Sequence, residues 1–168
     1  TVTSNNGCTD TKSQSLTTIY AEPQAAFNAP AEVCLGTVTN FTDISTAANS
    51  TVTQWAWNFG DGNTSTVRNP THTYAAAGSY VVTLSVTSAI GCQTINNIAT
   101  RTVVINPLPS ANFTTSLPGC VTRDITFTDA SAANAGTLTK WTWAFGDASS
   151  VVLTTGTPFT HAYNTAGS

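Results

Sequence analysis

The chain has 168 residues, a formal net charge of −3 and only 8% charged residues, enough length for one large domain or two small ones. It carries no basic stripe to neutralise phosphates, which excludes nucleic acid as a partner on electrostatic grounds, and no run of about 18 apolar residues that would cross a membrane as a helix. Thr supplies about a fifth of the residues and Met is absent; with Val and aromatic residues frequent and no sustained helical apolar spacing, the expected class is all-β.

Thr1-Val2-Thr3-Ser4 reads as a strand already under way, with no signal peptide before it. Residues 1–22 match residues 85–106 at an offset of 84, through Val2 with Val86, Ser4 with Ser88 and Gly7-Cys8 with Gly91-Cys92. They are therefore expected to be the C-terminal strands of a preceding repeat.

Residues 23–106 read as one complete domain, with strands expected near 24–28, 37–43, 51–59, 71–74, 79–88 and 92–105. Alternation places Trp55, Trp57 and Phe59 on one face of a strand, which has to be the core. Tyr80, Val82, Leu84 and Val86 form a second alternating set, expected to face those rings from the opposing sheet. Gly60-Asp61-Gly62-Asn63 is expected to be a tight turn with glycines at positive φ.

Asn106-Pro107-Leu108-Pro109 is a short linker stiffened by two prolines. The other junction, Tyr20-Ala21-Glu22-Pro23, is equally short, so a semi-rigid rod is expected. Residues 107–168 then repeat the domain at an offset of 86, pairing Phe27 with Phe113, Cys34 with Cys120 and Phe41-Thr42-Asp43 with Phe127-Thr128-Asp129. The run Trp55 to Asp61 returns as Trp141-Thr142-Trp143-Ala144-Phe145-Gly146-Asp147, which nominates Trp141, Trp143 and Phe145 as core. Beyond it the offset becomes 89, with His161, Tyr163 and Gly167-Ser168 answering His72, Tyr74 and Gly78-Ser79. Three extra residues thus fall around 149–158, and the last strands of this domain are expected to be missing.

The four cysteines show no Cys-x-x-Cys or Cys/His clustering, which favours disulfides over metal and an oxidising location. Cys34 is expected to bond Cys92 and to staple one end of the sandwich, worth about 3–4 kcal/mol in a chain-entropy account. Cys8 and Cys120, separated by a complete domain, are expected to have partners outside the chain.

The sequence resembles the PKD domain family, the polycystic-kidney-disease type of immunoglobulin-like repeat. Trp55-Ala56-Trp57-Asn58-Phe59-Gly60-Asp61-Gly62, Asn69-Pro70-Thr71-His72-Thr73-Tyr74 and Gly78-Ser79-Tyr80-Val81-Val82-Thr83-Leu84-Ser85-Val86 carry the resemblance. The added Gly-Cys looks like the variant in long surface proteins of Bacteroidetes-type bacteria. The second copy departs at Ala148 and Phe159, which stand where the first has Gly62 and Pro70. The resemblance implies tandem seven-stranded β-sandwiches and an extracellular setting, without implying one function.

No enzyme is expected. His72 and His161 recur at one repeat position, as do Asp61 and Asp147, which marks structural parts rather than a unique catalytic set. A single turn Asp lacks the several oxygens that calcium requires, and no cofactor is implied. Glycan binding needs exposed rings; only Tyr20 and Phe159 fall outside repeat positions. Sequons at Asn40, Asn49, Asn63 and Asn112 are attributed to chance in a chain rich in Thr and Asn. The expected role is a structural or adhesive stalk of a large extracellular protein or filament. Its partners would be neighbouring repeats or copies of the same chain joined head to tail, a long array being favoured over strand donation between copies. The alternative is a substrate-binding (glycan-binding) accessory module of a secreted hydrolase.

Overall fold

In a computed structural model, residues 1–15, 19–116 and 119–166 are described, and all regular structure among them is β. The expected match of Gly167-Ser168 to Gly78-Ser79 lies outside the described residues. The chain divides into two compact units: Thr1–Ala29, Asn40–His72 and Val81–Thr102 form one, and Pro30–Thr39, Thr73–Tyr80 and Val103–Ser168 the other.

The N-terminal segment forms an exposed antiparallel hairpin of β1 (Val2–Thr3) and β2 (Thr9–Asp10). Its turn shares two backbone bonds with a later one. Ser4 N donates to Cys8 O at 2.8 Å and Gly7 N to Ser4 O at 3.0 Å, as Ser88 N does to Cys92 O and Gly91 N to Ser88 O at 2.8 and 2.9 Å.

The next repeat begins with β3 (Phe27–Asn28), β4 (Glu32–Cys34), β5 (Thr39–Asn40) and β6 (Thr42–Asp43). It continues through β7 (Val52–Asn58), β8 (Thr64–Ser65), β9 (Thr71–His72), β10 (Gly78–Ser88) and β11 (Ala99–Asn106). One sheet has the order β4-β11-β10-β7-β8, while β3 pairs with β6 and β5 with β9. The seven strands of an immunoglobulin-like sandwich are recognisable once two splits are allowed for. The entry strand changes sheets at Pro30, where a missing N–H favours a break, and gives β3 and then a parallel β4–β11 pair. The second strand is interrupted at Phe41, whose N–H donates to the Pro70 carbonyl at 3.0 Å.

The alternation in β10 is realised: Val82, Leu84 and Val86 are buried, while Val81 is exposed. Its expected placement is corrected. β10 pairs directly with β7, putting Leu84 opposite Trp57 and Val86 opposite Trp55, so the two sets share a sheet instead of facing across the core. The facing side comes from Phe27 and Phe41 (ring centroids 5.1 and 5.8 Å from Trp57). Periodicity alone says which face is apolar and is silent on which strands are neighbours. The strand expected over 92–105 begins at Ala99; residues before it form a loop after the isolated Thr87–Gln93 bridge.

The second repeat comprises β12 (Phe113–Thr115), β13 (Asp124–Asp129), β14 (Trp141–Ala144), β15 (Ser150–Leu153) and β16 (Phe159–Ala162). Sheets β12-β13-β16 and β14-β15 reproduce their counterparts, and Trp143 opposes Val151 as Trp57 opposes Ser65. Fine detail is reproduced too. The Gln24–Thr46 bridge has its copy in Ser110–Ala132, and the Asp43 Oδ1 bond to the Ser45 amide has its copy in Asp129 and Ser131, each at 3.0 Å.

Candidate functional site

The most chemically concentrated feature of each repeat is the turn after its Trp-x-Trp strand. Gly60 has φ +84, and a Cβ built there would lie 2.7 Å from the Val81 carbonyl oxygen, so only glycine fits. Asn58 Oδ1 accepts from the Gly60 amide at 2.8 Å, and Phe59 N donates to Asn63 O at 3.1 Å. Asp61 is held inside this frame: Oδ1 accepts from the Asn63 amide at 3.0 Å, and Oδ2 lies 3.0 Å from Asn63 Nδ2 and 2.7 Å from His72 Nε2. The His72 ring stacks on Phe59 at 4.3 Å with planes 8° apart.

The second repeat rebuilds this site. His161 Nε2 lies 2.8 Å from Asp147 Oδ2 and its ring stacks on Phe145 at 4.0 Å. Ser149 replaces Asn63, donating both its amide and its hydroxyl to Asp147 Oδ1. Ala148 adopts φ +67 where Gly62 has φ +93, so the departure from glycine is absorbed as backbone strain. The Asp147 carboxyl is held down to about 2 by the Ser149 hydroxyl, the Ser149 amide and His161. For Asp61, burial pushes the carboxyl up but is outweighed by the bonds from His72 and Asn63, leaving it below its usual value.

A Ser, a His and an Asp in contact invite a catalytic reading, but the geometry does not support one. Ser149 Oγ approaches His161 at 3.5 Å through Nε2, the same nitrogen that meets Asp147. A relay needs the nucleophile and the orienting carboxylate on opposite ring nitrogens. Both oxygens of Asp61 are occupied by donors, and among the described residues no group of three His, Cys, Asp or Glu side chains is placed to hold a metal ion.

Among the nominated core residues, Trp57 and Phe59 are buried, whereas Trp55, Tyr80, Trp141, Trp143 and Phe145 are half-buried. Trp57 Nε1 donates to Val67 O at 2.9 Å. The matching Trp143 Nε1 is buried with no acceptor, in the repeat whose following loop carries the three extra residues. Trp55 is covered by the Arg68 guanidinium, 5.8 Å from its ring; Arg68 also pairs with the buried Asp43 at 3.3 Å. Tyr80 stacks on buried Tyr74 at 4.3 Å and donates to Ala76 O at 3.0 Å.

Phe159, which the repeat pattern leaves over, packs 5.0 Å from Trp143 and 5.6 Å from Phe127, adding a ring where the first repeat has Pro70. One expectation is corrected. No bond joins Cys34 to Cys92 in this structure, and none of Cys8, Cys34, Cys92 and Cys120 is bonded within the chain. Cys34 pairs with Asn106, the last residue of β11, whereas Cys92 precedes Ala99, its first. Tyr20 is exposed.

In the second repeat, β14 has β15 on one edge and no strand on the other among the described residues. A groove of about 510 Å³ opens there, lined by Phe113, Phe127, Trp141, Trp143 and Phe145. In the first repeat the corresponding strand, β7, carries β10 on that edge.

The chain is 40% identical over 87 residues to the Microbial collagenase of Vibrio alginolyticus, covering 51% of this chain and 10% of that protein. It is 51% identical over 43 residues to Collagenase ColA of Bacillus cereus, covering 26% and 4%. The chain therefore spans a tenth or less of these curated relatives. Among solved structures, the PKD1 domain of the Vibrio cholerae metalloprotease PrtV is 32% identical with a TM-score of 0.45, covering 51% of this chain and 98% of that one. A structure of carbohydrate-binding modules from the β-sandwich superfamily matches at 18% identity and a TM-score of 0.50, covering 66% and 56%, a likeness of fold alone. Two family patterns described as PKD domain match residues 20–103 and 109–168, and the chain belongs to the PKD domain family.

Proposed function

We propose that this chain is a non-catalytic accessory segment of a secreted, protein-degrading enzyme, engaging that enzyme's extracellular protein substrate. The observation that carries this reading is the 40% identity over 87 residues to the Vibrio alginolyticus Microbial collagenase. A 37% identity over 68 residues to the Vibrio cholerae Pre-pro-metalloprotease PrtV adds support. The site geometry is consistent with a non-catalytic role, since the His–Asp pairs hold a turn against a ring and set up no relay. These relatives favour an accessory module over the stalk expected from the repeats.

The test is co-sedimentation of the folded chain with insoluble collagen fibres, and separately with cellulose and chitin. Retention on the protein fibre alone is the expected result. Retention only on a polysaccharide would replace the protein substrate with a glycan, and retention on none would reject substrate engagement.

A second reading keeps the chain as a spacer in a long extracellular array. The detailed copying of hydrogen bonds between two repeats joined through Asn106-Pro107-Leu108-Pro109 favours it. In that reading the domain limits lie at 22/23 and 106/107, and neighbouring repeats are the partners. Failure to bind any of the three fibres, together with an elongated hydrodynamic profile, would select it.

A further inference from the structure

Glu22 lies in the segment that leads into the first complete repeat, beside the buried Pro23. Its Oε1 accepts hydrogen bonds from three consecutive backbone amides: Ile95, Asn96 at 2.7 Å and Asn97 at 3.2 Å. Successive N–H groups converging on one oxygen make an anion-binding nest, and a charged acceptor strengthens each bond. The nest lies in the loop before β11, where alternation alone suggests continuous strand. Ala25 N donates to Asn97 O at 3.2 Å, so the loop is tied to the entering segment by a neutral bond as well.

In the second repeat Leu108 stands where Glu22 stands, at the offset of 86, and offers no carboxylate. The Leu108 carbonyl accepts a hydrogen bond from Asn134 Nδ2 at 2.7 Å.

We propose that Glu22 is a charge-dependent latch that fastens the entering segment to the Ile95–Asn97 loop and makes this junction, unlike the one at Leu108, open in acid. Few other ionisable groups bear on it. β10 carries Tyr80, β11 carries Arg101, the intervening loop carries Cys92, and the entering segment carries Tyr20. None forms an ion pair with Glu22 among the described residues. The Ile95 amide holds the Glu22 carboxyl below its usual value, against burial, which raises it; the Asn96 and Asn97 amides add to the lowering. The charged, bonded form therefore dominates at neutral pH. The latch loosens as pH falls through the lowered value.

The test is an acid titration of the isotopically labelled chain by nuclear magnetic resonance, with amide exchange measured in parallel. The Ile95, Asn96 and Asn97 amide signals are expected to move together with a midpoint below 4.5, the ordinary value for this carboxyl, while the Asn134 side-chain amide stays still. Glu22→Ala is expected to speed exchange at those three amides by about tenfold and leave Trp57 and Leu84 unchanged. A midpoint at or above 4.5, unaltered exchange in Glu22→Ala, or equal acceleration throughout β7 and β10 would overturn the proposal. If Glu22→Ala does not fold, the titration of the unaltered chain decides alone.

Discussion

Leu84 stands directly opposite Trp57 across the β7–β10 ladder, both fully enclosed, while the Trp57 indole donates to the Val67 carbonyl at 2.9 Å. One residue thus ties three segments: a cross-strand neighbour in its own sheet, the Phe27 and Phe41 rings of the facing sheet, and the loop after β8. Trp57→Ala is expected to cost about 3–5 kcal/mol, measured by urea denaturation. A denaturation midpoint equal to that of the unaltered chain would show that the rings are not the core.

Arg68 and Asp43 form an unequal pair, with side chains 63% and 1% exposed. The buried carboxylate also accepts from the Ser45 amide, and Arg68 covers Trp55. Removing the guanidinium leaves a buried acceptor short of one donor, so Arg68→Ala is expected to destabilise by about 1–3 kcal/mol. Arg68→Lys should recover only part of that loss, because an ammonium lacks the planar face that lies over the indole. Denaturant titration of both variants checks the order.

The turn glycines separate backbone strain from steric conflict. Gly60 and Gly146 share nearly the same φ, +84 and +82, but the Val81 backbone that a Cβ at Gly60 would strike has its counterpart, at the offset of 89, outside these 168 residues, so within this chain a Cβ at Gly146 meets nothing within 4 Å. Gly146→Ala is expected to cost about 1 kcal/mol through φ alone. Gly60→Ala should cost roughly 1–3 kcal/mol more, because the Val81 backbone blocks the methyl group. Equal losses in repeat-resolved unfolding would contradict that steric account.

Asp147 makes a prediction about acid. Its folded value of about 2 lies below the ordinary 3.8, so its contribution to stability is fully present above 3.8 and lost as pH falls through 2. The urea midpoint should therefore drop across that window. Asp147→Asn should flatten the slope there, and an unchanged slope would show that the carboxylate is not held by Ser149 and His161.

Free thiols at all four cysteines predict that reductant leaves the thermal midpoint unchanged and that the unfolded chain titrates as four thiols. Protection of Cys34 and Cys92 from a thiol reagent after unfolding would instead restore the bond expected between them.

The periodic and repeated features were legible in the chain itself. A 180° alternation marks Trp57, Phe59, Val82, Leu84 and Val86 as inward-facing because side chains on a strand alternate whatever lies beside it, and the offsets of 86 and then 89 align the second repeat with the first. Facts about neighbours were not legible. That β10 lies beside β7, that Cys34 pairs with the last residue of β11, and that Phe159 turns inward among Trp143 and Phe127 all depend on strand order, which local pattern does not encode. The Glu22 nest belongs with these. A carboxylate in a linker looks like a solvated charge until the fold brings three amides, more than seventy residues away, onto one oxygen. Local sterics determine which way a side chain points, while only closure of the chain determines what it meets there.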